Sequence, residues 1–204
     1  SGNNRVGVDN NGVLTIGANA SIRGQNGNIG DAIFVGGNGK LINDGTISAD
    51  VAGGVITLRN LNQGITNNGT ISALNGGTIQ LQSHLTGAPG SQLVAGAGST
   101  IQQQGVTVSG VVNTSGSGSF RPTNNGNNFL SGVTLNGTLD MASALSNERV
   151  IGNLALNGTV NLNADSILSF QGTNTLSGNA TIVFGNSGNN RVGVDNNGVL
   201  TIGA

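Results

Sequence analysis

Few side chains in this sequence could carry out chemistry. Its one histidine, His84, follows Ser83, and a serine beside a histidine can act as a nucleophile with its general base. No nucleophile-elbow pattern surrounds the pair, and the sequence offers no identifiable third residue to orient the imidazole. We therefore interpret His84 as a solvated loop residue.

The carboxylates are a second candidate for catalysis. A glycoside hydrolase needs two carboxyl groups about 5 to 9 Å apart, and we consider the pair Asp44 and Asp50. Asp44 precedes a glycine in a turn, however, and the chain has no Trp or Tyr on which a sugar ring could stack. The sequence thus predicts no enzyme and no catalytic residue. The eight acids are Asp9, Asp31, Asp44, Asp50, Asp140, Glu148, Asp165 and Asp195.

Two short motifs are compared with known binding surfaces. Residues 36–39 read GGNG, as in calcium-binding nonapeptide repeats, but Leu41 stands where an Asp would be needed. Ice-binding faces use long Thr-x-Thr ladders, and only residues 173–175 fit that pattern. We therefore predict no metal site and no cofactor.

Six Asn-x-Ser/Thr sequons could accept a glycan. The simpler interpretation is compositional, because Asn-Gly-Thr is a turn followed by the start of a strand. The six asparagines are Asn19, Asn68, Asn113, Asn136, Asn157 and Asn179.

Composition limits the partners. Charged residues make up 7% of the chain and the net charge is −1. Without a basic patch, the counterion release that drives nucleic-acid binding is missing, and so is attraction to an anionic membrane surface. No apolar run is long enough to span a bilayer. With no cysteine, neither disulfides nor thiolate metal sites are available.

The sequence contains one long internal repeat. Residues 1–18 and 187–204 are identical, so a unit spanning positions 1–186 is followed by the opening of a second copy. We therefore interpret the chain as a piece of a longer protein. It would be one continuous segment, 1–204, in which residues 187–204 begin the next tandem copy.

A shorter, degenerate repeat of about 20 to 25 residues lies within the long one. Each unit holds short runs in which aliphatic and polar residues alternate, which is a strand signal. Asn-Gly, Asp-Gly or Ser-Gly separates the runs, and these residues turn the chain sharply by tolerating positive φ. The recurrence predicts an all-β, parallel β-helix of about 8–10 coils. Because parallel crossovers are overwhelmingly right-handed, we expect a right-handed coil.

Two of the units align well enough to assign side chains to the interior. Asn43 and Asn67 align at a turn and are predicted to form an amide ladder. The pairs assigned inward are Ile47 with Ile71, Ala49 with Ala73, Ile56 with Ile79 and Leu58 with Leu81. The pairs assigned to solvent are Thr46 with Thr70, Ser48 with Ser72 and Thr57 with Gln80.

Identical sequences are expected to occupy the same place in the coil. The long repeat should then equal a whole number of coils, roughly nine, or on the order of 43 Å of axis at ~4.8 Å per coil. Ser187 would begin a coil that superposes on that of Ser1 after a shift along the axis.

Residues 42–58 and 66–81, INDGTISADVAGGVITL and TNNGTISALNGGTIQL, resemble the repeats of filamentous-haemagglutinin-type large exoproteins. The similarity covers roughly Leu41 to Leu81, and the remainder resembles autotransporter passengers in style. The resemblance implies a right-handed β-helix that is secreted or attached to the bacterial cell surface.

Two functions remain open at this stage. The first is a structural repeat module that gives reach and stiffness to a filament, with adjacent copies of the repeat, head to tail, as its partners. The alternative is an adhesin segment whose loops bind glycans or proteins. Its site would lie around Pro89 or in residues 115–128.

Overall fold

Alternating aliphatic and polar residues form strands throughout the computed structural model, which describes residues 4–203. Its sheets are parallel, and the strands stack into a β-solenoid of about nine turns with about 22 residues per turn. No helix occurs in the described range, so none could cross a membrane there. The predicted fold class and coil number are confirmed.

The strands are short at the beginning of the chain and longer towards its end. They are β1 Arg5–Gly7, β2 Val13–Ile16, β3 Ser21–Gly24, β4 Asn26–Gly30, β5 Lys40–Asn43, β6 Thr46–Ala49, β7 Val55–Arg59, β8 Ile65–Asn67, β9 Thr70–Ala73, β10 Thr78–Gln82, β11 Leu85–Gly87, β12 Gln92–Ala95, β13 Thr100–Gln103, β14 Thr107–Thr114, β15 Ser119–Pro122, β16 Phe129–Met141, β17 Asn147–Leu162, β18 Ile167–Ser177, β19 Ala180–Phe184 and β20 Arg191–Ile202.

Each coil has three faces, because in the first half of the chain every strand pairs with the strand three places further on. Face 1 is the stack β1, β4, β7, β10, β13 and β15. Face 2 begins with β2, β5, β8 and β11, and face 3 with β3, β6, β9 and β12. Later strands continue through a corner, so that one strand contributes to two or three faces. The last strand of face 1 is β19.

The predicted interior is confirmed position by position. Ile47 pairs with Ile71 and Ile56 pairs with Ile79, and the aligned Ala and Leu pairs are also in register. All eight side chains are buried. The core therefore consists of aliphatic residues stacked on their own equivalents.

The outward assignment is only partly correct. Ser48, Ser72 and Thr57 lie on the outer side of their strands and are nevertheless buried. In a parallel stack a short outward side chain is covered by its equivalents above and below. Ser72 Oγ, for example, donates to Ser48 Oγ at 3.0 Å.

The amide ladder at the corner between faces 2 and 3 is confirmed, but the glycines there have a different role from the one expected. Asn43 Nδ2 donates to Asn67 Oδ1 at 2.8 Å, and both side chains are fully buried. Gly45 and Gly69, in the same corners, do not adopt positive φ. They are required for close approach instead, since a Cβ on Gly69 would collide with the Gly45 carbonyl oxygen.

The two identical segments lie on different faces, so the expected superposition is wrong. Arg5 begins a strand of face 1, whereas Arg191 pairs with Ile167 on face 2. Eight steps of the face 1 stack lead from Arg5 to Val183, and the chain continues for eight more positions before it reaches Arg191. Those last positions carry the chain on to the next face. Ser1, the other end of the expected superposition, lies outside the described residues.

Candidate functional site

The longest excursion from the coil is the nine-residue loop between β4 and β5, residues 31–39. At its tip Ile33, Phe34 and Val35 are exposed, and Phe34 is 88% accessible. We call residues 31–39 the tip loop. Its sequence signal was the unbroken apolar run from residue 32 to 35, which does not alternate as the strands do.

Asp9 holds the tip of this loop. Its Oδ1 accepts hydrogen bonds from the backbone N–H groups of Ile33, Phe34 and Val35 at 2.7, 3.1 and 3.2 Å. These bonds, that of Phe34 first, keep the pKa of Asp9 below its ordinary value, with a smaller contribution from Arg5. The loop is therefore pinned at its apex by a carboxylate that stays ionised.

Asp31 holds the base of the tip loop. Arg59 donates from Nε to both Asp31 oxygens at 2.9 Å, and Asn60 Nδ2 donates at 2.6 Å. Burial acts to raise the pKa of Asp31, but the hydrogen bonds from Arg59 and Asn60 outweigh it and the pKa is lowered. Arg5 Nη1 also donates to the Ala32 carbonyl at 3.0 Å.

Such a loop can present an apolar anchor at little entropic cost. Aromatic side chains are enriched among residues that dominate binding energy, and a pre-ordered loop loses little freedom when it binds. The two carboxylates that brace the loop, Asp9 from outside it and Asp31 at its base, are both engaged by donors.

The regions predicted to carry an adhesin site are part of the coil. Pro89 lies in a tight turn between β11 and β12, and residues 115–128 include strand β15 of face 1. Outside the strands lie the turn at residues 88–91, the turn at residues 115–118 and a six-residue corner, Thr123 to Asn128. The irregular loop expected at residues 115–128 is therefore interrupted by a strand, and the longest loop of the described residues is the tip loop.

The candidate catalytic residues are not brought together. His84 Nδ1 accepts a hydrogen bond from the Thr107 amide at 2.9 Å, which ties one coil to the next. Asp44 accepts from Asn68 at one end of β6, and Asp50 pairs with Arg23 at the other end. No group of three or more His, Asp or Glu side chains within 4–203 could hold a metal ion.

The remaining motifs have structural places. Residues 36–39 close the tip loop, where Gly37 packs on the backbone of Asn10. In the segment 173–175 the central Asn174 is buried, and its Nδ2 donates to the Gln171 carbonyl at 2.7 Å. It therefore secures a corner and does not form part of a flat threonine face.

Three of the six sequon asparagines form a second amide ladder. Asn136 Nδ2 donates to Asn113 Oδ1, and Asn157 Nδ2 donates to Asn136 Oδ1, each at 2.8 Å. Asn113 Nδ2 in turn donates to Gln92 Oε1 at 2.9 Å. Because Nδ2 is the atom that a glycan would occupy, modification at these three positions would break the ladder. Asn19 and Asn179 are exposed.

One carboxyl group lies inside the coil. Glu148 is fully buried, and neither of its oxygens has a hydrogen-bond partner among the described residues. Burial raises the pKa of Glu148 well above its ordinary value, against the opposing effects of the Arg149 amide and the Gln103 side chain. Burial therefore favours the protonated form of this carboxyl group, and we assign it no chemistry.

The last coil leaves interior side chains uncovered. Phe184, Val194 and Ile202 stack on the buried residues Leu162, Phe170 and Leu176. They are exposed on the opposite side, where no further coil covers them in the described part of the chain.

Comparisons with protein-family models, with curated proteins and with solved structures find no match to this chain. The class of protein that the structure itself defines is a parallel β-solenoid with one pinned, apolar loop.

Proposed function

We propose that this chain is a structural repeat module of an extracellular filamentous protein, in which copies of the repeat stack head to tail. The observation that carries this proposal is the repeated segment, which is seen with a different neighbour in each copy. Near the start of the chain it pairs with a following coil, and near the end with a preceding coil. Taken together, the two copies supply both neighbours of an interior coil.

The physical contribution of such a module is length and stiffness. Every coil hydrogen-bonds to its neighbours through all three faces, so bending the axis would strain many backbone bonds together. The Asn43–Asn67 and Asn113–Asn136–Asn157 ladders add bonds along the same axis. Stability then accumulates from neighbour to neighbour, as in other repeat proteins.

We also propose that the module belongs among the filamentous-haemagglutinin-type exoproteins and acts outside the cell. Residues 42–58 and 66–81, which carry that resemblance, occupy equivalent places in consecutive coils with their strands in register. The absence of cysteine makes the fold independent of the redox state of its surroundings.

The filament proposal is tested by lengthening the protein. Chains with residues 1–186 placed once, twice or three times ahead of residues 1–204 would be imaged by electron microscopy. We expect unbranched rods of constant width that grow by about 40 Å per added repeat, at ~4.8 Å per coil. Separate globular beads joined by links would contradict the proposal.

A second function is favoured by the tip loop. The pinned and largely exposed Phe34 is a suitable anchor for binding to a glycan-bearing or protein surface. The test compares Phe34→Ala with Val51→Ala, which shortens another exposed side chain, on a glycan array and on cells. Selective binding that is lost only in Phe34→Ala would support adhesion, and equal behaviour of both variants and the parent would exclude this role for the loop.

A further inference from the structure

We infer that the end of the solenoid receives the next copy of the repeat turned by one face, a third of a turn, so that successive copies in a tandem array face three directions in rotation around one axis. This inference rests on the proposed head-to-tail stacking and specifies its geometry. The interaction surface is the open edge of β19 and β20, and the partner is the continuation of this chain's own repeat.

The number of residues in the long repeat exceeds a whole number of coils by one face. Eight coils separate Arg5 from Val183, and eight further positions bring the chain to Arg191 on face 2. That excess is close to the length of one face, because Arg5 and Val13, which begin successive strands, are separated by the same number of positions. The long repeat therefore ends one face beyond a whole number of coils.

Both copies of the segment keep the same side-chain pattern. Val192 lies against the core as Val6 does, and Leu200 lies against it as Leu14 does. The inward and outward alternation is thus preserved when the segment moves to the next face. No residue has to exchange core for solvent.

A coil that covered the second copy would reproduce the pairing seen in the first. In the first copy Val13 pairs with Lys40 of the next coil. If the sequence after the second copy repeats that after the first, the residue equivalent to Lys40 would stack on Val199, on face 3. The coil that carries this residue would also cover Ile202, whose equivalent Ile16 is already buried. Val194 and Ile202, which are exposed in the last coil, thereby acquire a covering coil like that of their sequence equivalents Val8 and Ile16.

The corner between the two strands of the segment adjusts to its place. In the first copy a turn at residues 10–11 separates β1 from β2, whereas in the second copy β20 runs through without a break. Asn10 has positive φ in the first copy, and both Asn196 and Asn197 do in the second. The rotation therefore requires a local change at one corner, within a segment whose asparagines tolerate positive φ.

This geometry has a consequence for the tip loop. Eight coils and one face per repeat amount to 25 coils for three repeats, about 120 Å at ~4.8 Å per coil. Successive copies of Phe34 would then project from three sides of the filament in turn. A filament of this kind would present its apolar anchors in every direction around its axis.

The test is cryo-electron microscopy of a chain carrying residues 1–186 twice ahead of residues 1–204. Phe34→Cys in each copy gives a thiol for a gold label, since the chain has no cysteine of its own. The tip loop also marks its face directly in the density. We expect one continuous solenoid whose three labels lie on three different faces.

Two results would overturn the inference, and they differ from each other. A continuous solenoid with all labels in one line would contradict the rotation and leave the filament proposal standing. A stack interrupted between repeats would contradict both. Repeating the measurement without the label, on the loop density alone, guards against a label that disturbs the loop.

Discussion

Residues 5–16 and 191–202 have the same sequence and different neighbours. The first segment lies on faces 1 and 2 below a following coil, and the second lies on faces 2 and 3 above a preceding coil. Their side chains keep the same inward and outward sense. Alternation along the strand therefore decides which side chains face the core, and stacking on the adjacent coil decides the face.

The environment of single residues differs accordingly. Val8 is 6% exposed, because it packs against Gly39 at the end of the tip loop, whereas its equivalent Val194 is 44% exposed. Asp9 caps the tip loop, but Asp195 accepts a hydrogen bond from the Ser169 hydroxyl. The same residue types thus contact the tip loop in the first copy and lie at the open edge of the last coil in the second.

Both segments follow the alternation of inward and outward side chains, and a substitution in a central coil should test this alternation with the largest effect. Ile71→Asp should cost more than about 4 kcal/mol, because it places an unpaired charge in the core. Thr70→Asp, on the outer side of the same strand, should cost no more than about 1 kcal/mol. Thermal or denaturant unfolding of both variants decides the matter, and equal losses would contradict the inward and outward assignment.

The second test compares equivalent isoleucines. Ile16 is 4% exposed and Ile202 is 60% exposed. Ile16→Asp should therefore lower the free energy of unfolding by at least about 2 kcal/mol, and Ile202→Asp by less than about 1 kcal/mol. Chemical denaturation measures both. In a chain with a following repeat, the loss of unfolding free energy caused by Ile202→Asp should rise to that caused by Ile16→Asp. An unchanged loss would mean that the next coil does not cover Ile202.

The third test uses equivalent glycines. A Cβ on Gly7 would collide with the Ile33 side chain of the tip loop, whereas a Cβ on Gly193 meets open space. Gly7→Ala should displace the loop and cost about 1 to 3 kcal/mol, the range for overpacking. Gly193→Ala should be close to neutral. Unfolding of the two variants measures this, and a costly Gly193→Ala would indicate that the second segment is buried like the first.

The smallest expected effect concerns the aspartates. Asp9→Asn should speed hydrogen exchange at Ile33, Phe34 and Val35 without changing global stability, and Asp195→Asn should leave those amides unaffected. Because the folded-state pKa of Asp9 is depressed, the bracing is complete above the ordinary aspartate pKa of 3.8 and is lost as the pH falls through the lower folded value. Exchange that is already fast at neutral pH would contradict the capping role.

Much of the fold could be predicted because its signal is local and repeated. The alternation in Ile47–Ala49 and Ile71–Ala73, together with their shared Asn-Gly or Asp-Gly corners, was enough to align two coils and assign the core. Stacking of like on like then fixed the register. The amide ladder of Asn43 and Asn67 followed from the same alignment.

The tip loop and the face of each segment could not be predicted in this way. The nine-residue loop lengthens one coil, from Asn28 to Thr57, and no rule of alternation sets the length of such an insertion. The length of a coil varies for the same reason, so the sequence could not show whether the long repeat equals a whole number of coils. The buried Glu148 was equally hidden, since it occupies an interior position where the pattern calls for an aliphatic residue.

Cross-linking tests the placement of the two identical segments most directly. Stacked outward positions lie about 4.8 Å apart, within the Cα separation of a disulfide. Val199 faces Thr173 in the structure. If the second segment instead repeated the place of the first, Val199 would take the position that Val13 has on face 2. It would then stack on Ser169, where Gly193 stands in the structure.

Two double variants of this cysteine-free chain separate these placements. After mild oxidation, Thr173→Cys with Val199→Cys should form a disulfide in high yield, read as a mobility shift and confirmed by peptide mass. Ser169→Cys with Val199→Cys should remain reduced. The reverse result, a bond to position 169 and none to position 173, would contradict the shift by one face and return both segments to the same place in the coil.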